Sequence, residues 1–174
     1  MKFTQSEKEY FMSQALLEAQ KAEKNNEVPI GAVIVKDGKI IARGFNRREL
    51  DHQAIHHAEI SAIQEANRVV GNWRLLDCAL FVTVEPCIMC AGAIGLARIP
   101  QVYFGTINAK FGGVVSLYQI LEDERLNHRV QVEQDILVDE CTAIMRNFFS
   151  GKRNTKNISQ SHELLNAKNI DNKK

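Results

Sequence analysis

Residues 79–97 read ALFVTVEPCIMCAGAIGLA, and the way this stretch divides decides the fold. Its first part, ALFVTV, is a short apolar run rich in β-branched and aromatic residues, the pattern of a strand. Proline is favoured at the first position of a helix, so Pro86 reads as the opening of a helix that runs to about Ala97. VYFG at 102–105 then supplies the next strand. A strand, a helix and a second strand in this order suggest that the helix covers one face of a sheet.

Working outward from this unit, GAVIV at 31–35 and IIARGF at 40–45 are β-branched runs joined by Lys36-Asp37-Gly38-Lys39. Asp-Gly between such runs marks a tight hairpin, so the sheet begins antiparallel. Upstream, Thr4 and Glu7 have the spacing of a capping box, and Phe11, Met12, Ala15, Leu16 and Ala19 recur at helical intervals. A first helix therefore ends near Asn25-Asn26. Between hairpin and opening stretch, Ala58, Ala62, Ile63, Ala66 and Val69 mark a second helix from His57 to about Val70, closed by Gly71. Downstream, Val130–Val132 is a candidate fifth strand, and Asp139–Phe149 places Cys141, Ile144, Met145, Phe148 and Phe149 on one helical face. The elements add up to an α/β fold with a mixed sheet and helices on both faces.

The chain has 174 residues and 45% hydrophobic content, enough for one domain with a sizeable core. MKFTQSEKEYF turns polar too soon for a signal peptide, and no apolar run approaches the roughly 20 residues that span a bilayer. A cytoplasmic location with no membrane partner is the expectation, and the close CxxC pair suits a reducing compartment. The formal charge is +1, yet residues 151–174 carry six Lys or Arg against two acids. Such a tail can hold a polyanion such as RNA, or it can be a solubilising, partly disordered terminus; charge alone does not choose. The expected division is a domain over 1–153 and a basic polar tail over 154–174, with a possible helical extension at Glu163–Lys168.

Cys87 and Cys90 are three residues apart at an expected helix start, where both sulfurs can face one point and the helix dipole favours thiolate. His57, at the start of the second helix, offers an imidazole, and one histidine with two thiolates is a common zinc set. Three protein ligands leave a position for water, as in catalytic rather than structural zinc sites. Glu59, two residues from His57, is placed to carry that water's proton. Two other readings stand beside this one. A thioredoxin-like redox pair would leave His57-Ala58-Glu59 without a use. A structural four-ligand site would need Cys78, Cys141, His52 or His56, although Cys78 and Cys141 sit where core residues belong. His56 is assigned to the pocket rim, and His52 to a loop.

His-Ala-Glu followed by Pro-Cys-x-x-Cys resembles the signature of the zinc-dependent nucleoside and nucleobase deaminases, the cytidine/deoxycytidylate deaminase superfamily. Longer stretches, including GAVIVKDGKIIARGFNRR, TVEPCIMCAGAIGLARIPQVYFG and NHRVQVEQDILVDECTAIMRNFF, look like the bacterial tRNA-specific adenosine deaminases over about residues 6–153. The resemblance implies a three-layer α/β/α sandwich of cytidine-deaminase type with a five-stranded mixed sheet. It implies hydrolysis of adenosine to inosine at the wobble position of a tRNA anticodon stem-loop, by a homodimer carrying one Zn2+ per subunit. His57, Cys87 and Cys90 would be the ligands and Glu59 the proton shuttle. Asn46 matches the asparagine that contacts the base, and an amide suits a purine edge because it both donates and accepts. Val28 and Val84 look like pocket wall. Asn108, Lys110, Phe149 and Arg153 are the further substrate contacts, while Glu85 either holds the pocket together or faces solvent.

Two departures from the family pattern stand out. Gln53-Ala54-Ile55-His56 replaces the usual Asp-Pro-Thr-Ala, so the loop entering the site is altered. Asn108 stands where an aspartate is usual, which keeps an acceptor for a ribose hydroxyl and loses a charge that repels phosphate; relaxed RNA/DNA discrimination is the expectation. A deaminase of a free base such as guanine or cytosine is the main competing function. The basic tail, Arg43, Arg47 and Arg48 around Asn46, and Lys110 argue against it, because a free base needs no phosphate contacts. A zinc-bound RNA-binding module without activity is the competitor from another class.

Overall fold

The computed structural model describes residues 2–153, which form five strands and four helices. The tail at 154–174, with its suggested helical extension, lies outside the described residues. α1 spans Gln5–Lys24, and the Thr4 hydroxyl oxygen accepts the Glu7 N–H while the Glu7 carboxylate accepts the Thr4 N–H, the expected capping box. β1 (Gly31–Lys36) and β2 (Lys39–Phe45) form the hairpin, with Asp37 and Gly38 both at positive φ as a tight primed turn requires. α2 covers Ala58–Val70, and Gly71 ends it in the left-handed conformation.

β3 spans Cys78–Val84 and is buried throughout, as the central strand must be. α3 spans Ile88–Leu96, two residues later than the proline rule suggests. Cys87 makes a bridge with Gly112, and the Pro86 carbonyl accepts the Gly113 N–H at 2.9 Å. These long-range bonds keep the chain extended past Pro86, so Cys87 becomes the cap and not the second helical residue. β4 (Gln101–Thr106) and β5 (Gln131–Glu133) complete the sheet, and residues 138–153 are helical as α4.

Strand order is β2-β1-β3-β4-β5, antiparallel across the first two junctions and parallel across the last two. The sheet is mixed, as expected. Alternate residues of each strand serve opposite layers. Ile34, Leu80, Val82 and Phe104 pack with Ala62, Ala66 and Ile94 of α2 and α3. Val33, Val35, Phe81 and Tyr103 face Phe11, Met12 and Ala15 of α1 and Cys141 of α4. Each fully buried aliphatic or aromatic side chain of this kind contributes roughly 1.5–3 kcal/mol, so two facing cores of this size hold three layers together.

The register decides where the site forms. Gly31 at the start of β1 lies opposite Phe45 at the end of β2, and its N–H donates to Thr83 Oγ1 near the end of β3 at 3.2 Å. Val84 pairs with Thr106 at the end of β4. One edge of the sheet therefore gathers the turn at 27–30, the loop at 46–57, the β3–α3 junction and the loop at 107–116. Such an edge, at the carboxyl ends of parallel strands, is where open α/β sheets bind ligands.

Candidate metal centre and active site

α2 and α3 begin side by side at that edge, capped by His57 and Cys87, both with extended backbone. His57 Nδ1 lies 3.6 Å from Cys87 Sγ and 3.5 Å from Cys90 Sγ. The three ligand atoms all fall within 4.8 Å of one another, and this is the group among the described residues that can hold a metal ion. One imidazole and two thiols at helix N-termini match zinc in both chemistry and number. Hydrogen bonds from Cys90 and from His57 hold the Cys87 thiol down to about 4, against the effect of burial. At Cys87 the thiolate, the form that binds metal, is thus already favoured, whereas the hydrogen bond with Cys87 and burial push the Cys90 thiol up.

None of the four candidates for the one extra ligand of a closed structural site joins this cluster. Cys78 and Cys141 are buried in the core, on opposite faces of the sheet. His56 turns its Nδ1 to Asp51 Oδ2 at 2.7 Å, and Arg47 clamps the same carboxylate with two bonds of 2.9 Å. The Arg47 N–H also donates to the His56 carbonyl at 3.0 Å. His56 is therefore an anchor of the loop that delivers His57.

Glu59 sits in the first turn of α2 and is 3% exposed. Burial pushes its carboxyl up to about 7, although the nearby His57 and a hydrogen bond with Cys90 act the other way. A carboxyl poised near neutrality both takes and gives a proton, which is what proton transfer demands.

Six of the expected substrate residues line one groove of about 750 Å3. Val28 and Val84 form its apolar wall, and Asn108, Lys110, Phe149 and Arg153 its outer part, joined by Ile107, Phe111 and Met145. Phe149 is 45% exposed, so α4 buries Cys141 and Phe148 and turns Phe149 toward the groove, away from the face it was expected to share with them. Lys152 lies over the Phe148 ring and helps cover that end of the helix.

Asn46 is not itself among the lining residues of this groove, but its N–H donates to the carbonyl of Ile30, which is. Asn46 is 4% exposed, and its Nδ2 donates to Glu27 Oε2 at 3.0 Å. Glu27 was not legible as a site neighbour; its one signal is an acid placed against the apolar run VPIGAVIV. Two of the three arginines also depart from expectation, while the charge of Arg48 is near enough to act on His57. Arg43 faces α1, pairing with Glu18 and Gln14, and Arg47 pairs with Asp51, so neither is a free cation beside Asn46.

Glu85 resolves in favour of holding the site together. Its Oε1 accepts the N–H groups of Val114, Val115 and Ser116 at 3.2, 2.7 and 2.9 Å, and its Oε2 accepts that of Asn108 at 2.9 Å. Burial alone raises the carboxyl, but the donors outweigh it and hold Glu85 below the usual range. Gly112 must be glycine for this to form, since a Cβ there would fall on the Glu85 carboxylate. Asn108 spends its own Oδ1 on the Phe111 N–H at 3.2 Å, capping the turn that presents Lys110.

Residues 5–106 match the family model of the cytidine and deoxycytidylate deaminase zinc-binding region. The chain is 61% identical to the tRNA-specific adenosine deaminase of Streptococcus pyogenes serotype M1 over 160 residues, 92% of this chain and 94% of the relative. It is 44% identical to that of Bacillus subtilis strain 168 over 88% of this chain and 96% of the relative. A structure solved in studies of A-to-I editing by tRNA:A34 deaminases superposes with a TM-score of 0.75 at 41% identity, covering 78% of this chain and 98% of the other. The matched region contains His57, Cys87 and Cys90, and the chain accordingly belongs to the tRNA-specific adenosine deaminases of the cytidine and deoxycytidylate deaminase zinc-binding family.

Proposed function

We propose that the chain hydrolyses adenosine to inosine at the wobble position of a tRNA anticodon, with release of ammonia. The observation that carries this reading is the buried Glu59 carboxyl beside a His–Cys–Cys cluster, in a chain so closely related to tRNA-specific adenosine deaminases. His57, Cys87 and Cys90 hold one zinc ion per subunit, and a zinc ion in such a set supplies a Lewis acid that makes water nucleophilic near neutral pH. Glu59 takes one proton of the attacking water and passes it to the purine ring nitrogen; it then takes the second, from the hydroxyl added at the amino-bearing carbon, and gives it to the amine, which leaves as ammonia while the C–N bond breaks and the carbonyl forms. Asn46 contacts the wobble nucleoside, while Val28 and Val84 wall the base and exclude water. Lys110 and Arg153 meet phosphates, and the exposed ring of Phe149 offers a stacking surface for an unpaired base.

The working unit is a homodimer. α3, IMCAGAIGL, has no charged residue, and beyond its buried side Ile88 and Leu96 are exposed. A helix that is apolar all round needs cover on both faces, and a second copy supplies it. Residues 1–153 form the deaminase domain and 154–174 a basic tail that adds affinity for RNA. No helix among the described residues is long and apolar enough to cross a membrane, and a tRNA substrate supports a cytoplasmic location. The test is incubation of zinc-loaded protein with an anticodon stem-loop bearing a wobble adenosine, followed by inosine detection, beside free adenosine, cytosine and guanine. Inosine in the stem-loop is expected; turnover of a free base alone sinks the reading.

A further inference from the structure

Glu27 is a carboxylate with 1% exposure that the chemistry above leaves unused. It lies in the turn between α1 and β1, with its own N–H donating to the Ala22 carbonyl at 3.0 Å. Its two oxygens reach two points of the same loop. Oε1 accepts the Leu50 N–H at 2.8 Å, and Oε2 accepts the Asn46 Nδ2 at 3.0 Å. Carboxylate oxygens accept hydrogen bonds, so Glu27 can engage only the NH2 end of the Asn46 amide, and the orientation of that amide follows from chemistry. Asn46 is held by its backbone as well, its N–H donating to the Ile30 carbonyl at 3.0 Å. No described residue donates a hydrogen bond to Asn46 Oδ1. That oxygen is not among the buried side-chain atoms without a partner, so it is open to solvent, and an accessible acceptor without a protein donor is available to a ligand.

We infer that Glu27 is a positioning residue for substrate selection: by holding the Asn46 NH2 group it reserves the Asn46 carbonyl oxygen for a hydrogen-bond donor of the wobble nucleoside. That donor is an N–H of the base or the ribose 2′-hydroxyl. The inference rests on the proposed function, and it goes beyond it by explaining why an acid is buried behind Asn46. Glu27→Gln is nearly isosteric and keeps one acceptor for Leu50, but its NH2 then faces Asn46. The Asn46 amide must turn over to bond with it, and the nucleoside meets a donor where it had met an acceptor.

The test measures stem-loop affinity in the Glu59→Ala background, which binds without turning over. Three stem-loops are compared, carrying at the wobble position adenosine, 2′-deoxyadenosine or a ribose-bearing abasic site. Glu27→Gln is expected to weaken adenosine binding about tenfold, the scale of one good hydrogen bond made or reversed, and to spare whichever stem-loop lacks the donor. In an Asn46→Ala background it should add nothing, because contacting residues that act together are not additive. An equal loss on all three stem-loops, or a loss that persists with Asn46→Ala, overturns the inference while leaving the functional reading intact. If the parent binds all three equally, Asn46 reads no donor of the nucleoside and the inference is overturned, whereas failure of the functional reading shows separately, as no inosine in the stem-loop. Should Glu27→Gln not fold, side-chain amide NMR on the parent decides. Slow rotation with one protected Asn46 N–H is expected, and rapid exchange of both protons overturns the inference.

Discussion

Cys90 Sγ and His57 Nδ1 stand 3.5 Å apart although 33 positions separate them in sequence, so the metal cluster ties the start of α2 to the start of α3. Cys90→Ala is expected to abolish stoichiometric zinc binding. Chelation should lower the Tm of the parent and leave that of the variant unchanged, since a ligand bound only by the native state adds about 2.7 kcal/mol at a hundredfold excess over its Kd. Metal analysis and thermal melts with and without chelator check this; equal chelator sensitivity in both proteins would count against the cluster.

Glu59→Gln preserves shape and removes the movable proton. Inosine formation should fall by about 10²–10⁴, the usual worth of a positioned acid–base group, with zinc content unaltered. A variant that retains zinc and most of its activity would assign the proton work elsewhere.

Glu85→Gln turns an NH2 toward the Asn108 N–H while its remaining oxygen serves Val114, Val115 and Ser116. The expected cost is about 1–3 kcal/mol, that of a buried donor left unpaired. Amide hydrogen exchange should quicken at Asn108, and KM for the stem-loop should rise more than kcat falls. Unchanged exchange through 108–116 would show that the carboxylate does not hold the loop.

Gly44→Ala tests how α2 is seated. A Cβ at Gly44 would fall on the Ala58 carbonyl oxygen and within 2.7 Å of the Ala62 N, so the start of α2 must move away from β2. Overpacking of this kind costs about 1–3 kcal/mol or more. Denaturant unfolding should show the loss, and zinc affinity should fall with it because His57 rides on the displaced helix.

Asp51 supplies a pH dependence. Hydrogen bonds from Arg47 first and His56 second hold its carboxyl at about 2, below the 3.8 usual for aspartate. A depressed folded-state pKa gives stability that is present above 3.8 and lost as pH falls through about 2. The parent should therefore be more stable than Asp51→Asn at neutral pH, and the difference should vanish at the acid end. Salt should shrink it, because Arg47 is partly exposed. A difference independent of pH would refute an electrostatic origin.

Local pattern was enough for the elements: the capping box, the Asp-Gly turn, the strand ending before Pro86 and the Gly71 stop all depend on neighbours within a few residues. The candidate metal ligands were legible for the same reason, since Cys-x-x-Cys and His-x-Glu are short spacings at helix starts. What the sequence could not determine alone depends on backbone groups, which carry no residue-specific mark. The start of α3 was set by Gly112 and Gly113 bonding back to Cys87 and Pro86, and the role of Glu85 by four N–H donors 23 to 31 positions away. Pairing decided the charges, since Arg43 and Arg47 met Glu18 and Asp51 and so left the neighbourhood of Asn46 to Glu27. Short-range sterics and hydrogen bonding thus wrote the secondary structure and the ligand set into the chain, whereas only strand register and burial brought distant acids to the groups they hold.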